Sequence, residues 1–294
     1  MLNLFFYLSV FFSPFTAFEL IRLFDKSISP FLVFSSIFIL LFSIDCFVRN
    51  KITRVNKKTL FLIVIFLIAL INTLHYFING PIYIQRYELH LLNEYYFVDY
   101  KRSLLKNYLL ISGLTFAYCS FSYMKRLNFR NVIRFYQIFI LSLVFASLWG
   151  ALQFCSFLFD FQYPHQIFNH SVKGFEMEFV DGLRRVNSIT HEPNTLGKFL
   201  LIGLTPLTFS LSYCEYIFSK KLDLLFFLLF STVIILTTST TAIVGYLLLI
   251  SYVWSLNKDF KFKTYSNLRI CVLVLFLLPM AAYLAYLISP SFIR

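Results

Sequence analysis

Long apolar runs separated by short polar stretches organise the 294 residues. A helix crossing the roughly 30 Å hydrocarbon core of a bilayer needs about 20 mostly apolar residues. Nine runs approach that length, at 2–18, 30–48, 59–78, 107–123, 135–159, 196–218, 223–238, 240–256 and 270–288. The pattern predicts an all-α polytopic membrane protein, one transmembrane domain over residues 1–294 with about nine spans. The first run is the shortest and contains Pro14. It has neither a basic n-region nor a small-x-small cleavage site, so it reads as a retained helix.

The polar stretches between the runs give an orientation. Arg49–Lys58 holds five cations and no acid, and Lys125, Arg126, Arg130 and Arg134 follow two loops later. Lys220 and Lys221 come next, then Lys258, Lys261, Lys263 and Arg269. These loops alternate with mixed or acidic ones, the signature of cytoplasmic loops under the positive-inside rule. The N-terminus is expected inside and the C-terminus outside. Two long outer loops are expected, at 79–106 and 160–195, and all five histidines fall on that side or at its boundary.

Composition strengthens the membrane reading. Hydrophobic residues make up 59% and charged residues 14%, with 39 Phe, 19 Tyr and a mean hydropathy of +0.74. Soluble domains carry about 45–50% apolar and about 25% charged residues, so a water-soluble fold and a disordered chain are both excluded. The formal charge of +12 would ordinarily raise nucleic acid as a partner. Fifteen of the 26 cations sit in the four inner loops, which explains the charge without it. The five cysteines are scattered singly and form no CxxC, so neither a metal site nor a disulfide framework is expected. P-loop, GxGxxG, HExxH and GxSxG motifs are absent.

The densest polar segment is Phe175–Lys198, FEMEFVDGLRRVNSITHEPNTLGK. Pro193 occupies a favoured first-turn position for a helix, and a helix N-terminus attracts phosphate through its N–H groups and dipole. Arg184 and Arg185 add planar donors suited to phosphate oxygens, while Glu192 and His191 are candidate bases for a hydroxyl. Spacing alone also allows a solvated loop with a helix cap whose arginines grip lipid headgroups. Tyr83, Tyr87, Tyr95, Tyr96 and Tyr100 in the 79–106 loop fit an interfacial aromatic belt or a platform for sugar rings. The turn Thr237–Thr241 joins two apolar runs without a charge, and its hydroxyls suit a helix break or a polar ligand.

Two stretches resemble the O-antigen polymerase and O-antigen ligase superfamily, membrane glycosyltransferases of bacterial polysaccharide assembly. Arg185–Gly197 is similar to that family's Arg-led segment ending in a Glu-Pro or Pro-Asn element before a helix. Leu236–Gly245, LTTSTTAIVG, is similar to its Leu-Thr-x-Ser turn, about 45 residues further on. Thr240 stands where many members have Arg, and the chain ends at Arg294, where members open a further outer loop. A member lacking the C-terminal part is therefore expected.

The resemblance implies transfer of an oligosaccharide from undecaprenyl pyrophosphate at the outer face of the bacterial cytoplasmic membrane. The acceptor would be a second lipid-linked sugar or a lipid A core. It implies no metal and no cofactor, with membrane lipids and a chain-length regulator as further partners. Glu192 and His191 would be catalytic, and Arg184, Arg185, Asn194 and Ser239 would bind substrate. The Glu-Pro form favours polymerase over ligase. A lipid-linked saccharide flippase and a non-catalytic truncated member are the competing classes. A flippase predicts inverted repeats and polar residues deep in several helices, whereas mid-helix positions here are mainly Leu, Ile, Phe and Val.

Overall fold

Apolar runs in this chain are rich in Leu, Ile and Phe and bounded by Pro, Ser and Thr, so they favour helices with defined ends. A computed structural model describes residues 1–23, 26–48, 71, 83–85, 95–97, 100–159, 161–168, 179–180 and 183–256. Within them the architecture is all-α. The helices are α1 (Leu2–Phe12), α2 (Pro30–Val48), α3 (Tyr100–Met124), α4 (Phe129–Leu158), α5 (Pro193–Tyr213), α6 (Lys220–Leu236) and α7 (Thr240–Leu256). Three antiparallel two-stranded hairpins join them: β1 (Ile21–Leu23) with β2 (Lys26–Ile28), β3 (Tyr83–Gln85) with β4 (Tyr95–Phe97), and β5 (Phe179–Val180) with β6 (Leu183–Arg184).

Among the described residues, three helices are long and apolar enough to cross a membrane: Pro30–Val48, Phe129–Ser156 and Pro193–Tyr213. Leu2–Phe12 and Thr240–Tyr252 are shorter apolar helices. The expected count of nine spans thus exceeds what these residues support. The run 59–78 lies outside the described residues apart from the helical Ile71, and the run 270–288 lies wholly outside them.

Helix ends depart from the apolar runs for local reasons. Helix α1 stops at Phe12 because Pro14 lacks an N–H and disfavours helical geometry in the residue before it. Helices α3 and α4 begin several residues before their apolar runs and take in Lys101, Arg102, Arg130 and Arg134. Backbone hydrogen bonding, unlike hydropathy, does not stop at charged residues. Helix α5 ends where Cys214 turns left-handed at φ 58°, with its N–H on the Ser210 carbonyl.

The chain divides into two compact units, Met1–Phe6 with Phe34–Leu127, and Tyr7–Val33 with Asn128–Arg294. In the first, Phe6, Phe38, Phe42, Phe116 and Tyr123 form an aromatic cluster with ring centroids 5.1–6.1 Å apart. Arg126 lies 4.9 Å over the Phe42 ring and 3.6 Å from the Asp45 carboxylate.

In the second unit, α4, α5, α6 and α7 pack around Ile140, Leu143, Leu200, Leu204, Leu207, Phe227, Phe230 and Ile234. Glycines set the spacing of α5. A Cβ on Gly197 would lie 2.6 Å from Ala242 Cβ and 3.2 Å from Ser239 Cβ, and one on Gly203 would collide with Leu143 of α4. Close approach of this kind is what small residues permit between membrane helices. The chain after α4 folds back on that helix, with Phe168 edge-on to Trp149 at 4.8 Å and to Phe145 at 5.3 Å.

Candidate functional site

The segment expected as an outer loop before Pro193 is a buried strap in its final part. Val186, Asn187, Ser188, Ile189 and Thr190 are all buried, so the solvated-loop reading fails for these residues. Irregular backbone in a membrane protein must find internal partners or line a water-filled cavity. Each side of this strap has such partners.

Helix α4 supplies the first set. Ala146, Gly150 and Gln153 recur at helical spacing and share one face. Gln153 is 1% exposed, and its Oε1 accepts the N–H groups of Asn187 at 3.2 Å and Ser188 at 2.8 Å. Its Nε2 donates to Asn187 Oδ1 at 2.8 Å. Ser188 adopts φ 54°, left-handed and unusual for a residue with a Cβ, and its hydroxyl donates to the Ala146 carbonyl at 2.6 Å. A Cβ on Gly150 would sit 3.1 Å from Val186 and 3.3 Å from Ser188, so the strap lies directly on this face.

The chain after α1 supplies the second set. Ala17 N–H donates to the Ile189 carbonyl and His191 N–H to Thr16 Oγ1, both at 3.1 Å. The end of α6 supplies the third. Val186 N–H donates to the Leu236 carbonyl at 3.3 Å.

Arg185 stands where the strap meets the α6–α7 turn. Its Nε donates to the Thr237 carbonyl at 3.2 Å and its Nη2 to Asn194 Oδ1 at 3.1 Å. Arg185 is half-buried, and Asn194 lies in the first turn of α5. The turn itself is built by hydroxyls. Thr237 Oγ1 donates to the Ile234 carbonyl at 2.7 Å and accepts Ser239 N–H at 3.3 Å. Thr238 then takes φ 48°, reversing the chain, and Ser239 Oγ caps α7 by accepting Ala242 N–H at 3.3 Å.

The candidate residues are therefore partly gathered. Arg185, Asn194 and the turn ending in Ser239 meet at one place, although Ser239 is fully buried and its hydroxyl serves as a helix cap. Glu192 is the N-cap residue of α5 and is exposed, but its side chain makes no capping hydrogen bond. His191 also reaches the surface. The protein packed around it disfavours the imidazolium and lowers its pKa, an effect partly opposed by Glu192 and Glu19. Arg184 belongs by its backbone to β6, opposite Phe179. Glu176, Glu178 and Asp181 lie outside the described residues, as do Tyr87, His90 and Glu94 of the 79–106 loop.

Two residues escaped the sequence reading. Gln153 was visible only as one of two amides in the apolar run 135–159, with Gln137, a weak signal that polar residues within spans find partners. Asp223, fully buried in the first turn of α6, accepts Ile217 N–H at 2.8 Å, Phe218 N–H at 3.1 Å and the Ser210 hydroxyl at 2.5 Å. It closes the α5–α6 connection at the other end of these helices. Among the described residues, no group of three or more His, Cys, Asp or Glu is arranged to hold a metal ion. No family model, no curated protein and no solved structure matches this chain.

Proposed function

We propose that the chain is an O-antigen polymerase-like glycosyltransferase of the bacterial cytoplasmic membrane. In this reading it spans the membrane nine times with its N-terminus inside, and it uses an oligosaccharide on undecaprenyl pyrophosphate at the outer face. The observation that carries the proposal is the meeting of two stretches 52 residues apart, through Arg185 Nε on the Thr237 carbonyl, beside the first turn of α5. These are the two stretches that resemble the family.

The chemistry asked of the site is simple. The bond from the anomeric carbon to pyrophosphate oxygen breaks, and the acceptor hydroxyl oxygen forms the new glycosidic bond. Arg185, oriented by Thr237 and Asn194, offsets the charge on the departing undecaprenyl pyrophosphate. Glu192, exposed and not engaged in capping, takes the acceptor's proton, with His191 as its neighbour. A base in this position contributes roughly 10²–10⁴-fold to the rate.

A second reading draws on the same clamp. Arg185 joins the strap to the α6–α7 turn, so it could serve structure alone in a non-catalytic member. Cells whose long surface polysaccharide depends on this chain separate the two. Under the transferase reading, Arg185→Lys and Arg185→Ala both abolish long chains at normal membrane abundance, because Lys cannot reproduce the bidentate geometry. Glu192→Gln does the same. Long chains persisting in Arg185→Ala would reject the donor-site assignment.

A further inference from the structure

Gln153 is a buried amide toward the end of an apolar helical run, and each of its side-chain hydrogen bonds is to the strap. We propose that Gln153 is a positioning residue that holds the strap on α4 and so sets where Arg185 stands; its role toward donor substrate rests on the transferase reading.

Two consecutive backbone N–H groups, from Asn187 and Ser188, converge on one Gln153 oxygen. Such convergent pairs form small electropositive nests that ordinarily take an anion. Ser188 reaches this arrangement only through its left-handed φ of 54°. A single acceptor therefore satisfies two donors and stabilises a strained residue. The Gln153 amide nitrogen closes the set on Asn187 Oδ1, so the side chain is held at both polar atoms. With consecutive Cα atoms about 3.8 Å apart, fixing Asn187 confines Arg185, two residues earlier. Other ties of this stretch run from the Ser188 hydroxyl to the Ala146 carbonyl of α4, from Val186 N–H and Arg185 to Leu236 and Thr237 at the end of α6, and from Arg185 to Asn194 of α5. Without Gln153, two buried N–H groups lose their acceptor, and exposure to water is the remaining way to satisfy them.

The variants discriminate by chemistry. Gln153→Met keeps length and approximate volume but removes both polar atoms. Gln153→Glu keeps the acceptor for both N–H groups, and the Asn187 amide can reverse to donate to the second carboxylate oxygen. A general loosening would affect the whole helical core, whereas loss of positioning would affect the strap first.

The test uses the full chain in nanodiscs, with the five native cysteines replaced by serine. Val186→Cys reports on the strap and Ser231→Cys, buried in α6, serves as the control for labelling by a water-soluble maleimide. Gln153→Met should raise labelling at position 186 on the order of tenfold and leave position 231 protected. It should also weaken binding of undecaprenyl pyrophosphate, and Gln153→Glu should do neither. Unchanged protection at 186, or an equal rise at both positions, overturns the proposal. If Gln153→Met does not accumulate, Asn187→Ala removes only the amide arm and should raise labelling at 186 to a smaller extent; no rise overturns it. Undecaprenyl pyrophosphate bound equally well by Arg185→Ala would instead defeat the transferase reading, while the labelling still decides whether Gln153 anchors the strap.

Discussion

Arg185 and His191 show what single residues contribute and what their setting adds. Arg185 binds a carbonyl and an amide oxygen at once, which only a planar guanidinium does well. His191 is held in the opposite sense, since its surroundings favour the neutral ring. Its pKa in the folded chain lies below the ordinary histidine value of about 6.5, so the unfolded chain binds the proton more tightly. Stability linked to His191 is therefore complete above pH 6.5 and declines as pH falls toward the folded pKa. Thermal unfolding of the purified protein should show this decline, and His191→Gln should flatten it between pH 7 and about pH 5. An unchanged profile in His191→Gln would assign the pH dependence to other groups. None of this was legible at the residue: a His before Glu-Pro reads equally as a base, a cap neighbour or a surface side chain.

Helices were the most legible elements, and their contacts the least. Runs 30–48 and 240–256 coincide with α2 and α7, whereas the turn expected over Thr237–Thr241 is shorter, Thr237–Ser239, because Thr240 and Thr241 already belong to α7. Hydropathy and Pro, Ser and Thr punctuation report local backbone preference, so they succeed there. They do not reveal that Gly197 faces Ala242. A Cβ at Gly197 would come within 2.6 Å of the Ala242 Cβ, too close for both to remain in place. Gly197→Ala should cost about 1–3 kcal/mol through overpacking, and Ala242→Gly should recover part of that loss in the double variant. Detergent-solubilised protein unfolded by heat or denaturant provides the double-mutant cycle. Additive effects of the two substitutions would mean that α5 and α7 do not touch at these positions.

At the scale of the molecule, hydropathy and charge predict a topology, and helix geometry supports its coarser part. Three helices meet the length and apolarity of membrane spans among the described residues. The alternation of basic loops predicts which side each connection occupies. Reporter fusions should place 160–195 outside and 49–58, 124–134 and 257–269 inside. A cytoplasmic 160–195 segment would put the strap and Arg185 on the wrong side for an outer-face donor and remove the transferase reading entirely.

Local sequence pattern was enough to show that the chain is largely helical with helices apolar enough to cross a membrane, where α2 and α7 run, and that a helix starts at Pro193. These features follow from hydropathy, from proline's missing N–H and from hydrogen bonds between residues four apart, all of which are local. Packing of distant elements was needed to show that residues 186–190 are buried, that Gln153 accepts the Asn187 and Ser188 N–H groups, and that Arg185 spans to Thr237. Such pairings depend on which backbone groups are left without partners when distant elements pack. That is a property of the assembled core, and no window of neighbouring residues contains it.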